Sequence, residues 1–173
     1  MILELEGKKF DLDIEKTKKY YTTHSLCNCV GCRNFYMQSK QKFPLLNIFL
    51  EKFGVDISKP DEIVWGDVID DELDYMVVYY TVNGKILETD KYEIDISDTM
   101  FLNIIVENGY VPNDQETDDY FIVSVYGIVL PYILEEPFTQ KVKSKRRNNK
   151  GNRANPNLFF ERIIHIKKTQ TKD

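Results

Sequence analysis

Only three cysteines occur among the 173 residues, and all of them fall between positions 27 and 32. Three thiols so close together cannot form the dispersed, paired framework of a secreted disulfide scaffold, which points to a reducing compartment. The stretch Met1 to Gly7 has no basic leader followed by an apolar run, and no later segment has the roughly 18 uninterrupted apolar residues of a membrane span. The expected location is therefore cytoplasmic. A glycine-rich phosphate loop and the Asp/Gly ligand pattern of a calcium loop are also missing.

What is present suffices for a real core: hydrophobic residues make up 42% and aromatic residues 13% of the chain, which excludes wholesale disorder. Net charge is −5, but it is unevenly spread: residues 1–53 balance at +3, residues 54–137 at −17 and residues 138–173 at +9. An acidic middle repels nucleic acid and attracts basic partners, and a basic end does the reverse. Mutual neutralisation within the fold is the plainer alternative.

Residues 2–14 alternate apolar and charged side chains around Glu6-Gly7-Lys8, the pattern of a hairpin with one buried face. Glu15 to Thr23 reads as a polar lead into the cysteines. Beyond them Phe35, Tyr36, Leu46, Phe49, Leu50 and Phe53 recur at helical spacing up to Gly54, with Pro44 either starting a second helix or kinking one long one. Further strands are expected at Glu62 to Trp65, Leu73 to Val82, Met100 to Val106 and Tyr120 to Leu130. Asn83-Gly84 favours a type I′ turn, so Lys85 to Ile96 should return antiparallel to the strand before it. The resulting fold class is α+β: an antiparallel sheet with one or two N-terminal helices packed on it and a Cys/His metal loop at the start of the first helix. One domain, 1–173, divides into a hairpin, metal-loop and helix region (1–57), the antiparallel sheet (58–137), a flexible basic loop (138–157) and a final strand (158–168).

The chemistry concentrates in His24-Ser-Leu-Cys27-Asn-Cys29-Val-Gly-Cys32. Zinc prefers tetrahedral sets of thiolate and imidazole, and two-residue spacers let a tight bend aim both ends at one ion. His24, Cys27, Cys29 and Cys32 are the candidate ligands, with His165, the other histidine, as an alternative fourth. Gly31 offers a sharp turn between Cys29 and Cys32. An iron–sulfur cluster, a redox-active thiol pair and a chance cluster of thiols are the competing readings. A full set of four protein ligands leaves no open position for substrate, so the zinc is expected to be structural and the protein not an enzyme.

The stretch from His24 through Cys32-Arg33-Asn34-Phe35-Tyr36, with Phe49-Leu50-Glu51-Lys52-Phe53-Gly54-Val55-Asp56-Ile57-Ser58-Lys59-Pro60-Asp61-Glu62 and Leu130-Pro131-Tyr132-Ile133-Leu134-Glu135-Glu136-Pro137, resembles small uncharacterised bacterial proteins that share this cysteine cluster. The resemblance implies a bacterial or phage origin and assigns no catalytic residue.

Two functions from different classes follow. In the first, an inhibitor or immunity-type interaction protein binds a basic partner protein through an acidic face that includes Asp70, Asp71, Glu72 and Asp74, with Tyr75, Tyr79, Tyr80, Tyr92, Tyr110, Tyr120 and Tyr126 as anchors wherever they are exposed. In the second, Lys141, Lys143, Lys145, Arg146, Arg147, Lys150 and Arg153 form an arm that neutralises nucleic-acid phosphates.

Overall fold

The computed structural model describes residues 1–5, 7–88, 93–96, 101–105 and 119–138, all within one compact unit, Met1–Gln140. The opening hairpin forms as its alternation predicts: β1 (Ile2–Leu5) pairs antiparallel with β2 (Lys8–Leu12), and Gly7 takes a φ of 74° in the turn. Phe10 and Leu12 face inward while Asp11 points out.

The stretch read as a polar lead is instead a helix, α1 (Ile14–Thr23), capped by the Asp13 carboxylate, which accepts from the Lys16 N–H at 2.9 Å. Its buried face is Thr17, Tyr20 and Tyr21, a helical spacing carried by polar-tipped side chains. Beyond the cysteines, α2 (Val30–Lys42) and α3 (Pro44–Glu51) are separate helices, with Pro44 in the first turn of the second. Among the described residues the expected one or two helices are therefore three, and the cysteine cluster stands at the start of the second.

Two long strands dominate the rest, and each bends once. One runs from β5 (Glu72–Tyr75) through Met76 into β6 (Val77–Glu88); the other runs from β9 (Tyr120–Tyr126) through Gly127, at φ 78°, into β10 (Ile128–Pro131). Their register continues across the bend, since Val78 faces Val125 and Tyr75 faces Ile128, three residues further on in each strand. The ribbon so formed belongs to two sheets. The larger, seven-stranded sheet has the order β1-β2-β6-β9-β8-β7, where β7 is Glu93–Asp95 and β8 is Phe101–Ile105, and β3 (Glu62–Val64) also pairs with β6. The smaller sheet has the order β10-β5-β4, with β4 at Val68–Ile69. All pairs are antiparallel, so the architecture is α+β.

Asn83-Gly84 is not a turn. β6 runs through it, and the returning strand expected over Lys85 to Ile96 is absent: Lys85 to Glu88 continue β6, and β7 pairs with β8. The backbone is held here on every side, because Asp13 N–H donates to Asn83 O (3.0 Å), Gly84 N–H to Asp119 O (2.9 Å) and Asn83 N–H to Thr17 Oγ1 (2.9 Å). Gly84, at φ 141°, allows β2 to approach, and a Cβ there would lie 2.3 Å from Asp11 O. The glycine serves close packing between strands.

The core gathers Phe10, Phe53 and Phe121 under the hairpin, and Tyr80, whose hydroxyl donates to Ile57 O at 2.8 Å. Among the described residues no helix is long and apolar enough to cross a membrane. The final strand at 158–168, the basic residues from Lys141 to Arg153 and His165 lie outside the described residues.

Candidate metal centre

The three cysteines converge. Cys27 lies in the connection between α1 and α2, Cys29 is the residue at the N-cap of α2, and Cys32 is in its first turn. Their sulfurs all lie within 4.8 Å of one another. Tetrahedral Zn–S bonds of roughly 2.3 Å place sulfurs about 3.8 Å apart, so a small inward closure brings these three onto one ion. Three close cysteines can thus hold a metal ion. Exposure falls along the set, from exposed Cys27 through half-buried Cys29 to buried Cys32.

The surroundings favour negative charge on the middle sulfur. Burial raises the Cys29 pKa, but hydrogen bonds from the Cys32 amide, the Cys32 and Cys27 thiols and the Trp65 indole outweigh it and bring the value below that of an ordinary thiol. Cys32 goes the opposite way, raised by burial and then by its two sulfur neighbours. Tyr36, one turn along α2, is likewise raised by burial and by Cys32, with which it shares a hydrogen bond. Three sulfurs at this distance oppose one another's ionisation, and a divalent cation between them removes that opposition.

Gly31 has a different role from the one its position in the motif suggests. It lies inside α2, and a Cβ on it would stand 2.5 Å from the Trp65 ring. The missing side chain is what lets the indole lie against the start of the helix and reach Cys29.

His24 does not join the sulfurs. It closes the C-terminus of α1, where its N–H donates to Tyr20 O at 3.0 Å, and its ring stacks on Tyr20 at 5.2 Å. Nε2 lies 3.1 Å from Pro60 O and Nδ1 lies 3.8 Å from Asp61 Oδ1. Asp61 is itself fully enclosed, accepting from the Thr81 N–H at 2.7 Å and from the Tyr20 hydroxyl. Burial raises the Asp61 pKa, against the opposing pull of Tyr20, His24 and Thr81. His24 therefore pins the beginning of the cysteine loop to the segment before β3. Among the described residues no other histidine or carboxylate enters the sulfur cluster.

The motif reading missed the strap that crosses this site. Asn34 on α2 donates to the Tyr75 hydroxyl (3.0 Å) and Pro131 O (3.1 Å) and accepts from Ile133 N–H (2.9 Å), while Gln38 donates to Pro131 O at 2.9 Å. The Tyr75 hydroxyl donates in turn to Gly31 O at 2.9 Å. Arg33 makes a two-pronged ion pair with Glu136, at 2.8 and 2.5 Å, and Phe138 packs edge-on against both Trp65 and Tyr132. The segments around Cys32 and after Leu130, both part of the resemblance above, thus meet in space. That pairing was the one sequence signal available.

Asp70 and Asp71 form the turn between β4 and β5, both at positive φ (52° and 63°), and Glu72 and Asp74 are exposed on the strand that follows. Of the tyrosines offered as partner anchors, Tyr75 and Tyr80 are fully buried, Tyr79, Tyr120 and Tyr126 are partly exposed, and Tyr92 and Tyr110 lie outside the described residues. In comparisons with known proteins, the chain matches no family model, no curated protein and no solved structure.

Proposed function

We propose that this chain is a non-catalytic interaction protein of the inhibitor or immunity type, with a structural zinc at Cys27, Cys29 and Cys32 and an acidic face that docks a basic partner protein. The supporting observation is the outward face of the small sheet. Glu72 and Asp74 alternate there with buried Leu73 and Tyr75, Val129 stands opposite Asp74, and Ile69 opposite Glu72. Ile69, Met76 and Val129 are 69%, 48% and 47% exposed, large values for such side chains. Carboxylates that steer a basic surface and apolar groups that gain by burial lie on one face, the composition of a docking patch. From Pro60 to Gly84 the sequence has seven carboxylates and no lysine or arginine to offset them.

Zinc is favoured by the all-sulfur donor set, and thiolates weaken its Lewis acidity, which suits support better than catalysis. Elemental analysis of anaerobically purified protein should find one zinc per chain, lost in Cys32→Ser. Capture of a basic protein from the native host should be abolished by reversing the charge of Asp70, Asp71 and Glu72 together. Unchanged capture sinks the acidic-face reading; absent metal sinks the zinc reading.

A further inference from the structure

We propose that a hydroperoxide joins Cys29 to Cys32 as a disulfide and so empties the metal site; the release of metal rests on the zinc reading above, whereas the bond between the sulfurs does not. The three thiols lie within 4.8 Å of one another, close enough to react once a side chain turns. Helix geometry selects the pair. Cys29 is the N-cap of α2 and Cys32 stands three residues on, in a turn already closed by the Arg33 N–H on Cys29 O at 3.0 Å. Positions three apart on a helix have Cα atoms roughly 5 Å apart, inside the span of about 4.4–6.8 Å that a disulfide needs. The backbone need not move. Its neighbours also hold it there: the Tyr75 hydroxyl donates to Gly31 O at 2.9 Å, the Trp65 ring lies against Gly31, and Arg33 pairs with Glu136.

Cys27 is exposed and stands outside this turn, in the connection after α1, so no helical register fixes it against either partner. Thiol–disulfide exchange among neighbouring sulfurs moves the bond to its least strained pair, whichever sulfur is oxidised first. Two thiols and one hydroperoxide give a disulfide, an alcohol (water, from hydrogen peroxide) and water. One sulfur attacks the peroxide, forming S–O as O–O breaks, and the alcohol leaves with that thiol's proton. The second sulfur displaces the hydroxyl from the first, forming S–S as S–O breaks, and water carries off the second proton. Two electrons have passed from sulfur to oxygen. In the metal-bound form both protons come from solvent as the ion departs. A sulfur must be a thiolate to ligate, so the disulfide removes two of the three sulfurs proposed to hold the zinc.

The test treats the zinc-loaded full chain with stoichiometric hydrogen peroxide. Zinc read with a colorimetric chelator should rise to about one equivalent per chain as the free thiols fall from three to one. Alkylation before reduction should mark Cys27 alone, and alkylation after reduction Cys29 and Cys32, both read by tandem mass spectrometry. Dithiothreitol followed by zinc should restore the thiols and the metal. Cys27→Ser, at an exposed position, should give the same final yield of the Cys29 to Cys32 bond. A disulfide that includes Cys27, a bond between chains, or oxidation to sulfinic acid with no disulfide overturns the inference. Zinc retained in the disulfide-bonded chain overturns it too. Protein that holds no zinc after anaerobic purification takes the same peroxide and alkylation steps: the Cys29 to Cys32 bond then upholds the pairing while the zinc reading falls, which keeps the two failures apart.

Discussion

The two ends of the bent ribbon are held by different forces. Under the hairpin, Phe10 packs against Phe53 at 5.4 Å and Phe121 at 5.7 Å, with all three rings almost wholly removed from water. At the cysteine end the fastenings are directional: Asn34 and Gln38 on Pro131, Tyr75 on Gly31, and Arg33 on Glu136. Apolar burial is non-directional and tolerates small shifts, whereas a buried polar group must meet its partner at a set distance and angle. Apolar burial holds the end where precision is not needed, and directional bonds hold the end where three sulfurs are gathered closely enough to hold a metal ion.

The sharpest way to break this contrast is Phe10→Ala. It should cost about 3–5 kcal/mol in urea unfolding and leave the metal content of the folded fraction unchanged. A loss of metal in the folded protein would show the two ends to be one unit. Asn34→Ala acts from the other side. With about 1–3 kcal/mol for each buried group left unsatisfied, and Gln38 still reaching Pro131, it should cost roughly 2–3 kcal/mol. Amide exchange should quicken over Tyr132 to Leu134 and stay slow in β9. Gly31→Ala is smaller in energy, about 1–2 kcal/mol, but more local, because the new methyl displaces the Trp65 ring. The chain has one tryptophan, so its emission should move to the red. An unchanged spectrum would mean that the indole does not rest on that glycine.

The same contrast explains what could be read from the sequence. The hairpin and the face of α3 were legible because aliphatic and aromatic residues mark a buried side at regular spacing, as do Phe10 and Leu12 or Leu46 and Leu50. The three sulfurs were legible because thiols rarely cluster without a reason. Helix α1 was hidden because its buried side is Thr17, Tyr20 and Tyr21, which bury rings and methyls but read as polar. Asn83-Gly84 misled because a strong local turn preference lost to strands and a helix packed on it from three directions. His24 was placed among the ligands by proximity along the chain, and the partners that claim it, Pro60 and Asp61, are more than thirty residues away. The strap contacts, such as Arg33 to Glu136 across 103 residues, leave no periodic trace at all.

The smallest effect separates two carboxylates five residues apart. Asp56 accepts from Ser58 at 2.7 Å and pairs with Lys40 at 3.0 Å; burial raises its pKa, but these partners bring it below the ordinary 3.8. Asp61 is raised above that same value by burial, its partners offsetting only part of the cost. The signs follow from linkage. The depressed group contributes stability that is present above the ordinary value and is lost as pH falls through its folded value. The raised group holds its proton more tightly when folded, so its contribution is greatest below the ordinary value and declines as pH rises through its own. Asp56→Asn should therefore cost about 0.5–1 kcal/mol at neutral pH, discounted for the half-exposed Lys40, and nothing in acid. High salt should shrink the Lys40 part and leave the Ser58 part. Asp61→Asn can keep its oxygen on the Thr81 N–H and donate its amide N–H to the Tyr20 hydroxyl oxygen, so it resembles the protonated acid and the decline above the ordinary carboxylate range disappears. Urea midpoints measured across pH for the two variants should thus differ from wild type by slopes of opposite sign, and parallel curves would mean that neither carboxylate is held as its neighbours imply.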